Sequence, residues 1–257
     1  MRFYLDTGSP GDVRAAAALP FAAGFTTNPV LLARAGTPDA RPLLEAALAA
    51  GRRDWKCWVG AGGASAAEVL AQVENLERWF FALTGGEWAG PTLVHKLVPT
   101  PEALWAAARV AGRGKEACVT AVTGPVQALA VATLAPLPKS GPAVPAGSAF
   151  ETEGPPAART PPRPHAIAFY VGRVADSGRD APRAIAETCA ACASCGLKVR
   201  VLAASLRTRD AVADVVRAVT AAGPGAAALL DLTLPAALLA DAIRDPATAA
   251  ALDEFAR

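Results

Sequence analysis

The chain has few of the residues on which several large classes of protein depend. It contains only two histidines, His95 and His165, so a zinc site built from several histidine ligands is not expected. No apolar run approaches the roughly 20 residues that a transmembrane helix needs. The 25 basic residues almost balance the 23 acidic ones, which indicates neither a nucleic-acid surface nor a polybasic membrane patch. We therefore expect no metal, no nucleic acid and no membrane among its partners.

The five cysteines indicate a reducing compartment, because an odd number would leave a thiol unpaired in a secreted protein. The N-terminus begins with a strand pattern and lacks the basic and apolar segments of a signal peptide, so a cytoplasmic protein is expected. Cys189, Cys192 and Cys195 recur at every third position. Since no nearby fourth cysteine completes a cluster, we interpret them as small buried thiols on one helical face.

Short β-branched or aromatic segments alternate with long alanine- and leucine-rich segments, a pattern typical of parallel α/β proteins. Eight strands are predicted, at Arg2–Leu5, Gly24–Thr27, Trp55–Val59, Leu93–Leu97, Ala117–Ala121, Ala166–Val171, Lys198–Ala203 and Ala227–Leu232. Eight helices are predicted, at Pro10–Leu19, Arg41–Ala50, Ala64–Leu83, Pro101–Val110, Pro125–Leu134, Ala181–Cys195, Thr208–Ala222 and Pro235–Asp245.

Eight such units predict a single domain over residues 1–257, a closed (β/α)8 TIM barrel of the α/β class. A doubly wound open sheet is the alternative. The run Gly60-Ala61-Gly62-Gly63 could suggest a dinucleotide loop, but it lacks the required glycine spacing, so no cofactor is expected.

Residues 135–165 are rich in proline, glycine, serine and alanine and have few core-forming side chains. They are predicted to form a flexible insertion between the fifth predicted helix and the sixth predicted strand. In a barrel, this connection lies on the face opposite the loops that build active sites, so no catalytic role is expected. A partner-binding polyproline II segment is the alternative interpretation.

Lys96 is the most informative residue, because it lies in the apolar, β-forming run from Thr92 to Val98. Burying an ammonium is costly, and burial favours the neutral amine that acts as a nucleophile. A lysine that extends its ammonium into water would be the plain alternative. Two other predicted strands also end in polar residues, Asp6 and Asn28, and an amine, a carboxylate and an amide together favour a Schiff-base site.

Five segments in order resemble the transaldolase family, including its small-subunit branch and the fructose-6-phosphate aldolases. They are Phe3-Tyr4-Leu5-Asp6-Thr7, Thr26-Thr27-Asn28-Pro29, Lys96 with Pro99-Thr100-x-Glu102, Tyr170-Val171-Gly172-Arg173-Val174-x-Asp176 and Ala203-Ala204-Ser205-Leu206-Arg207. The resemblance implies metal-free aldol chemistry in a (β/α)8 barrel. It also implies a sugar-phosphate substrate and a place in carbohydrate metabolism, in the pentose phosphate pathway.

The resemblance also implies a role for each matching residue. Lys96 would form the Schiff base, Asp6 would act as general acid and base, and Thr120 and Tyr170 would position the catalytic water. Asn28 would hold a substrate hydroxyl with Thr27 beside it, although strand alternation leaves open whether Thr26 or Thr27 faces the barrel. The substrate phosphate would be bound by Arg173, Ser205 and Arg207.

The chain departs from the family at three places. Family members carry Glu or Gln on the third strand, where Trp58 aligns here, or Cys57 if the alignment shifts by one residue. An indole can donate a hydrogen bond but cannot accept a proton. The insertion at 135–165 is the second departure. The third is the end of the chain at Arg257, whereas relatives continue in a longer helix that packs oligomers in some branches, which leaves a homo-oligomer open.

Three functions are compatible with these observations. The first is transaldolase-type transfer of a dihydroxyacetone unit between sugar phosphates. The second is cleavage that releases free dihydroxyacetone, as in the fructose-6-phosphate aldolases, and Tyr170 favours it. The third, which Trp58 motivates, is a barrel that binds a sugar phosphate but has impaired catalysis.

Overall fold

In the computed structural model, which describes residues 1–86, 90–134 and 166–242, eight parallel strands close into a barrel in chain order. The predicted insertion at 135–165 lies outside the described residues. The strands are β1 (Phe3–Asp6), β2 (Ala22–Thr26), β3 (Lys56–Gly60), β4 (Thr92–Leu97), β5 (Glu116–Val122), β6 (Ala166–Tyr170), β7 (Arg200–Ala204) and β8 (Leu230–Pro235). Because β8 pairs with β1, the predicted (β/α)8 barrel is confirmed and the open sheet is excluded.

The described helices surround this barrel. They are α1 (Pro10–Ala17), α2 (Pro29–Arg34), α3 (Arg41–Ala49), α4 (Ala66–Leu83), α5 (Pro101–Gly112), α6 (Pro125–Ala132), α7 (Val171–Asp176), α8 (Ala181–Ser194), α9 (Arg209–Ala221), α10 (Pro224–Leu229) and α11 (Ala236–Asp241). Ser9, Ser65, Thr100 and Thr208 each cap a helix by accepting a backbone N–H bond. No helix in the described ranges is long and apolar enough to cross a membrane.

The structure differs from the sequence prediction mainly in three short helices, α2, α7 and α10, which the sequence did not predict. Each has six residues, too few for a helical period to emerge from the sequence. Residues Ala227 to Leu229 belong to α10, so the last strand begins at Leu230 rather than at Ala227. The apolar run there was compatible with either element, and Pro224 at the helix start is the signal that favours the helix.

The core has two layers separated by the strands. Outward-facing strand residues pack against the helices and form the larger hydrophobic cluster. The barrel interior is filled by a smaller cluster, namely Tyr4, Trp58, Val94, Cys118, Ala166, Ala168 and Leu202. Cys189 and Cys192 are buried in α8 as predicted, but the prediction was wrong for Cys195, which is exposed because the helix ends at Ser194 and Cys195 is its C-terminal cap. Burial raises the pKa of the Cys189 thiol to about 12.

Ion pairs lie at the amino end of the barrel, where the strands begin. Lys56 at the start of β3 pairs with Glu116 at the start of β5. Asp231, whose side chain is 1% exposed, accepts hydrogen bonds from the Arg200 guanidinium and from the backbone N–H of Arg2 at 2.7 Å. Because this carboxylate is buried, its charge depends on Arg200 for compensation.

Replacement of Arg200 is therefore expected to destabilise the fold. Arg200→Ala leaves Asp231 buried without its cation and should lower the free energy of unfolding by about 2–4 kcal/mol. Arg217, which forms an exposed pair with Asp214, provides the matched control, and Arg217→Ala should cost about 0.5 kcal/mol or less. Urea denaturation of both variants measures the difference, and equal losses would contradict the role of Arg200.

Candidate active site at the carboxyl ends of the strands

Lys96 points into the barrel and is almost completely buried. It is the fifth residue of β4, its relative exposure is 5%, and its Nζ donates a 2.9 Å hydrogen bond to the carbonyl oxygen of Thr27. Its neighbour His95 lies on the outer face of the strand, where Nε2 is 3.0 Å from Oε1 of Glu77 on α4. Alternation along β4 thus sends the imidazole toward the helices and the amine toward the barrel interior.

Asp6 ends β1 at the same mouth of the barrel. Its Oδ1 accepts a 2.7 Å hydrogen bond from the Thr26 hydroxyl, and the Thr26 hydroxyl lies 2.7 Å from that of Thr233 on β8. Thr26, rather than Thr27, is therefore the residue whose hydroxyl faces Asp6. Thr27 contributes its carbonyl oxygen to Lys96, while its buried hydroxyl has no hydrogen-bond partner among the described residues.

The charge of Lys96 acts on two groups inside the barrel. Burial raises the pKa of Asp6 above its ordinary value, although the positive charge of Lys96 and the Thr26 hydrogen bond both oppose the increase. Burial likewise raises the pKa of the Cys118 thiol to about 12 against the effect of the same ammonium. A buried amine therefore lies within electrostatic reach of a carboxyl group that is protonated more readily than usual, a suitable pair for covalent and proton-transfer chemistry.

Thr120 on β5 and Tyr170 at the end of β6 are in direct contact, with 3.2 Å between their hydroxyl oxygens. Ala121, which follows Thr120, has φ +61°, and the pairing of β5 with β6 shifts register between Val119 and Val122. Such a bulge redirects the side chains beside it. The strained residue therefore lies where the strand presents Thr120 to the barrel mouth.

Asn28 is the N-cap of α2 and lies two residues after the end of β2. Its Oδ1 accepts the backbone N–H of Leu31 at 3.0 Å, so the side chain is held as the helix cap through its amide oxygen. Gly8, in the loop after β1, lies so close to α2 that a Cβ would come within 2.2 Å of the Leu31 carbonyl oxygen. The loop that follows Asp6 is thus packed tightly against the helix that Asn28 caps.

Of the predicted phosphate-binding residues, Arg207 is already paired with a carboxylate of this chain. Arg173 is exposed on α7, and Ser205 follows β7 with φ +62°. Arg207 donates both Nη groups to Asp176 at 2.7 and 2.8 Å, which lowers the pKa of the Asp176 carboxyl. Gly172 permits a close approach to Ser205, because a Cβ there would come within 2.4 Å of the Ser205 carbonyl oxygen.

Trp58 lies inside the barrel, 2% exposed, and stacks edge-on against Tyr4 with 5.2 Å between the ring centroids. Its indole Nε1 is buried and has no hydrogen-bond partner among the described residues. The residue on β3 that pairs with Lys96 is Gly60, which contributes no side chain. The described part of β3 thus brings no carboxylate or amide side chain to the mouth of the barrel.

Two residues of this arrangement, Thr233 and Asp176, were not among the sequence candidates. Thr233 carries no motif of its own, and only barrel closure brings it to Thr26. Asp176 lies in the segment that begins at Tyr170, but its pairing with Arg207 depends on the contact between α7 and the loop after β7. In the described ranges there is no group of three or more His, Cys, Asp or Glu residues that could hold a metal ion.

The chain is similar to known proteins of one family. The family model for transaldolase/fructose-6-phosphate aldolase matches residues 3–256. A protein named probable transaldolase from Thermus thermophilus is 29% identical over 260 residues, which cover 99% of this chain and 96% of that protein. Probable transaldolases from Bacillus cereus and Symbiobacterium thermophilum are 27% and 26% identical, covering 99% and 85% of this chain and 95% and 82% of their own lengths.

The buried carboxyl group is expected to reduce stability at neutral pH. The folded-state pKa of Asp6 is raised, so the stability gained by protonating Asp6 is present at low pH and is lost as the pH rises through that value. Asp6→Asn keeps an acceptor for Thr26 but carries no charge, so it should unfold at higher urea concentration than wild type at pH 7. The advantage should shrink near pH 4, and a pH-independent difference would contradict this explanation.

Proposed function

The chain belongs to the transaldolase/fructose-6-phosphate aldolase family, and on that basis we propose that it transfers a dihydroxyacetone unit between sugar phosphates through a Schiff base on Lys96. The observation that carries this proposal is the burial of the Lys96 amine inside the barrel, at the carboxyl end of β4. TIM-barrel enzymes place their reacting groups at this end of the strands. The Thr27 carbonyl holds Nζ in one position, which favours a defined angle of attack.

In the proposed reaction, neutral Nζ attacks the ketose carbonyl carbon C2, and the carbinolamine loses water to give an iminium. Asp6 takes the proton of the C4 hydroxyl as the C3–C4 bond breaks, and the bonding electrons move into the iminium to form an enamine. The aldehyde leaves. The enamine then attacks an acceptor aldehyde, Asp6 returns the proton to the new hydroxyl, and hydrolysis of the iminium frees Lys96.

The environment of Asp6 supports the acid–base role. A carboxyl group that must both take and return a proton works best when its pKa lies close to the working pH, and burial moves the pKa of Asp6 in that direction. Thr120 and Tyr170, whose hydroxyl groups are in contact, would bind the water that is lost and regained. Asn28 would donate from Nδ2 to a substrate hydroxyl.

The substrate phosphate would bind near Arg173, Ser205 and Arg207. Arg207 is bound to Asp176 in the described structure, but both side chains are exposed, so water weakens their attraction. A phosphate dianion carries more charge than a carboxylate and suits the planar guanidinium fork. It would therefore compete with Asp176 for Arg207.

Cleavage that releases free dihydroxyacetone is the second candidate, and the contact between Tyr170 and Thr120 favours it. A tyrosine that orients the catalytic water would assist hydrolysis of the enzyme-bound intermediate. The two functions differ in their need for an acceptor. Product formation from fructose 6-phosphate that depends on added erythrose 4-phosphate identifies transfer, whereas formation without it identifies cleavage.

A third candidate, a sugar-phosphate-binding barrel with impaired catalysis, follows from Trp58. The indole cannot accept a proton from water, so water activation would depend on Asp6, Thr120 and Tyr170 alone. A burst of Schiff base without continued turnover would favour this candidate. Steady turnover would reject it.

Sodium borohydride added with fructose 6-phosphate should attach the reduced sugar irreversibly to Lys96, because only an iminium is reduced to a stable secondary amine. Mass spectrometry of a proteolytic digest measures the site of attachment. Lys96→Ala should abolish labelling, whereas Lys198→Ala, which removes an exposed lysine, should leave it unchanged. Folded wild-type protein that remains unlabelled would reject both the transfer and the cleavage function.

Replacement of Trp58 by glutamine should accelerate Schiff-base formation by about 10-fold, because an amide oxygen can accept a hydrogen bond from the water and orient it. Single-turnover trapping with borohydride measures this rate. Trp58→Phe retains the ring stacked on Tyr4 without adding an acceptor, and its rate should stay close to that of wild type. If Trp58→Gln folds and reacts no faster than Trp58→Phe, the indole is not what limits water activation.

A further inference from the structure

Three side-chain oxygens form a continuous hydrogen-bonded chain across the closure of the barrel. The Thr233 hydroxyl on β8 is 2.7 Å from the Thr26 hydroxyl on β2, and the Thr26 hydroxyl is 2.7 Å from Oδ1 of Asp6 on β1. The two threonines are 1% and 0% exposed. Their hydroxyl groups are therefore shielded from water and must satisfy each other.

The number of available protons determines the direction of these hydrogen bonds. Each hydroxyl has one hydrogen, and an ionised carboxylate has none. When Asp6 is ionised, Thr26 donates its hydrogen to Oδ1, so the hydrogen between the two threonines must come from Thr233. The chain therefore runs in one direction, from Thr233 through Thr26 to Asp6.

We propose that Thr233 is a positioning residue that, through Thr26, keeps Oδ1 of Asp6 occupied and leaves Oδ2 to exchange the substrate proton. The inference rests on the proposed aldol function of Asp6. Thr233 does not contact the substrate in this proposal. By donating to Thr26, Thr233 directs the hydroxyl hydrogen of Thr26 to Oδ1 of Asp6. Oδ2 is then always the oxygen that acts as the base.

The opposite arrangement is disfavoured by the surroundings of Thr233. If the proton taken from the substrate settled on Oδ1, Asp6 would donate to Thr26, and Thr26 would donate to Thr233. The hydrogen of Thr233 would then need another acceptor, and among the described residues its hydroxyl is hydrogen-bonded only to Thr26. Leaving a buried hydroxyl hydrogen without an acceptor is costly, so the proton is held at Oδ2 and can return to the product.

The strand register explains why this chain can form. Asp6 pairs with Thr26 on one side of β1, and Tyr4, two residues earlier, pairs with Thr233 on the other. Alternation places Tyr4 and Asp6 on the same face of β1, and their partners face the barrel with them. Two strands that are far apart in sequence thus deliver hydroxyl groups to one carboxyl group.

The hydrogen bond from Thr26 lowers the pKa of Asp6 against the effect of burial. A donor that itself accepts a hydrogen bond is polarised and donates more strongly. Removal of the Thr233 hydroxyl should therefore weaken the Thr26 bond, raise the pKa of Asp6 and move the acidic limb of the activity profile to higher pH.

The test compares wild type with Thr233→Val, which keeps the shape of the side chain, and with Thr233→Ser, which restores the hydroxyl. The pH profile of kcat/KM is measured with fructose 6-phosphate and erythrose 4-phosphate. In Thr233→Val the acidic limb should move up by roughly half a pH unit, since cooperativity changes a hydrogen bond only in part. Thr233→Ser should return to the wild-type profile, and borohydride labelling of Lys96 should persist in both variants.

Thr188→Val is the matched control, because Thr188 is a buried threonine in α8 whose hydroxyl donates to the Ala184 carbonyl oxygen at 2.8 Å. Its profile should not shift. An unshifted acidic limb in folded, labelled Thr233→Val would overturn the inference while the proposed function stands. If borohydride does not label Lys96 in the wild-type protein, the proposed function is rejected instead.

A second measurement covers the case in which Thr233→Val does not fold or the wild type is inactive. The pKa of Asp6 can be followed by NMR of protein labelled with ¹³C at the aspartate carboxyl carbons, with Asp6→Asn identifying the signal. Thr233→Ala should raise this pKa, and an unchanged value would overturn the inference.

Discussion

The arrangement of the site depends on one constraint, the position of the Lys96 ammonium inside a barrel that excludes most water. The Thr27 carbonyl fixes its nitrogen, and its charge reaches both Asp6 and Cys118. A lysine at the surface would have neither effect, because water would screen the charge and the side chain would move freely. Burial of Lys96 thus gives the amine a defined position, whereas burial of Asp6 raises the pKa of that carboxyl group against the opposing charge of the amine.

The carboxylates at the two ends of the barrel differ in how their charge is compensated. At the amino end, Asp231 and Glu116 are each paired with a cation, Arg200 and Lys56, which lowers the cost of burying them. At the carboxyl end, the described residues offer Asp6 a threonine hydroxyl as hydrogen-bond donor and the longer-range attraction of Lys96. Strong pairing stabilises the fold, whereas incomplete pairing leaves a carboxyl group able to gain and lose a proton.

Much of the fold could be predicted because its signals are local. Seven of the eight strand predictions overlap closely with the observed strands, and the eighth began too early, since Ala227 to Leu229 are compatible with either strand or helix. The short helices α2, α7 and α10 were missed because six residues are too few to show a period. The bulge at Ala121 could not be predicted either, because its positive φ accompanies the register shift between β5 and β6.

The sequence by itself determined the existence of the eight strands, the polar residues at their ends and the apolar sequence around Lys96, since these follow from composition and local periodicity. Only the tertiary structure decided which of Thr26 and Thr27 turns its hydroxyl toward Asp6, that Thr233 completes that chain, and that Arg207 is held by Asp176. The physical reason is that hydrogen bonds between strands distant in the chain depend on barrel closure and strand register. Neither can be recognised from the residues that are neighbours in the sequence.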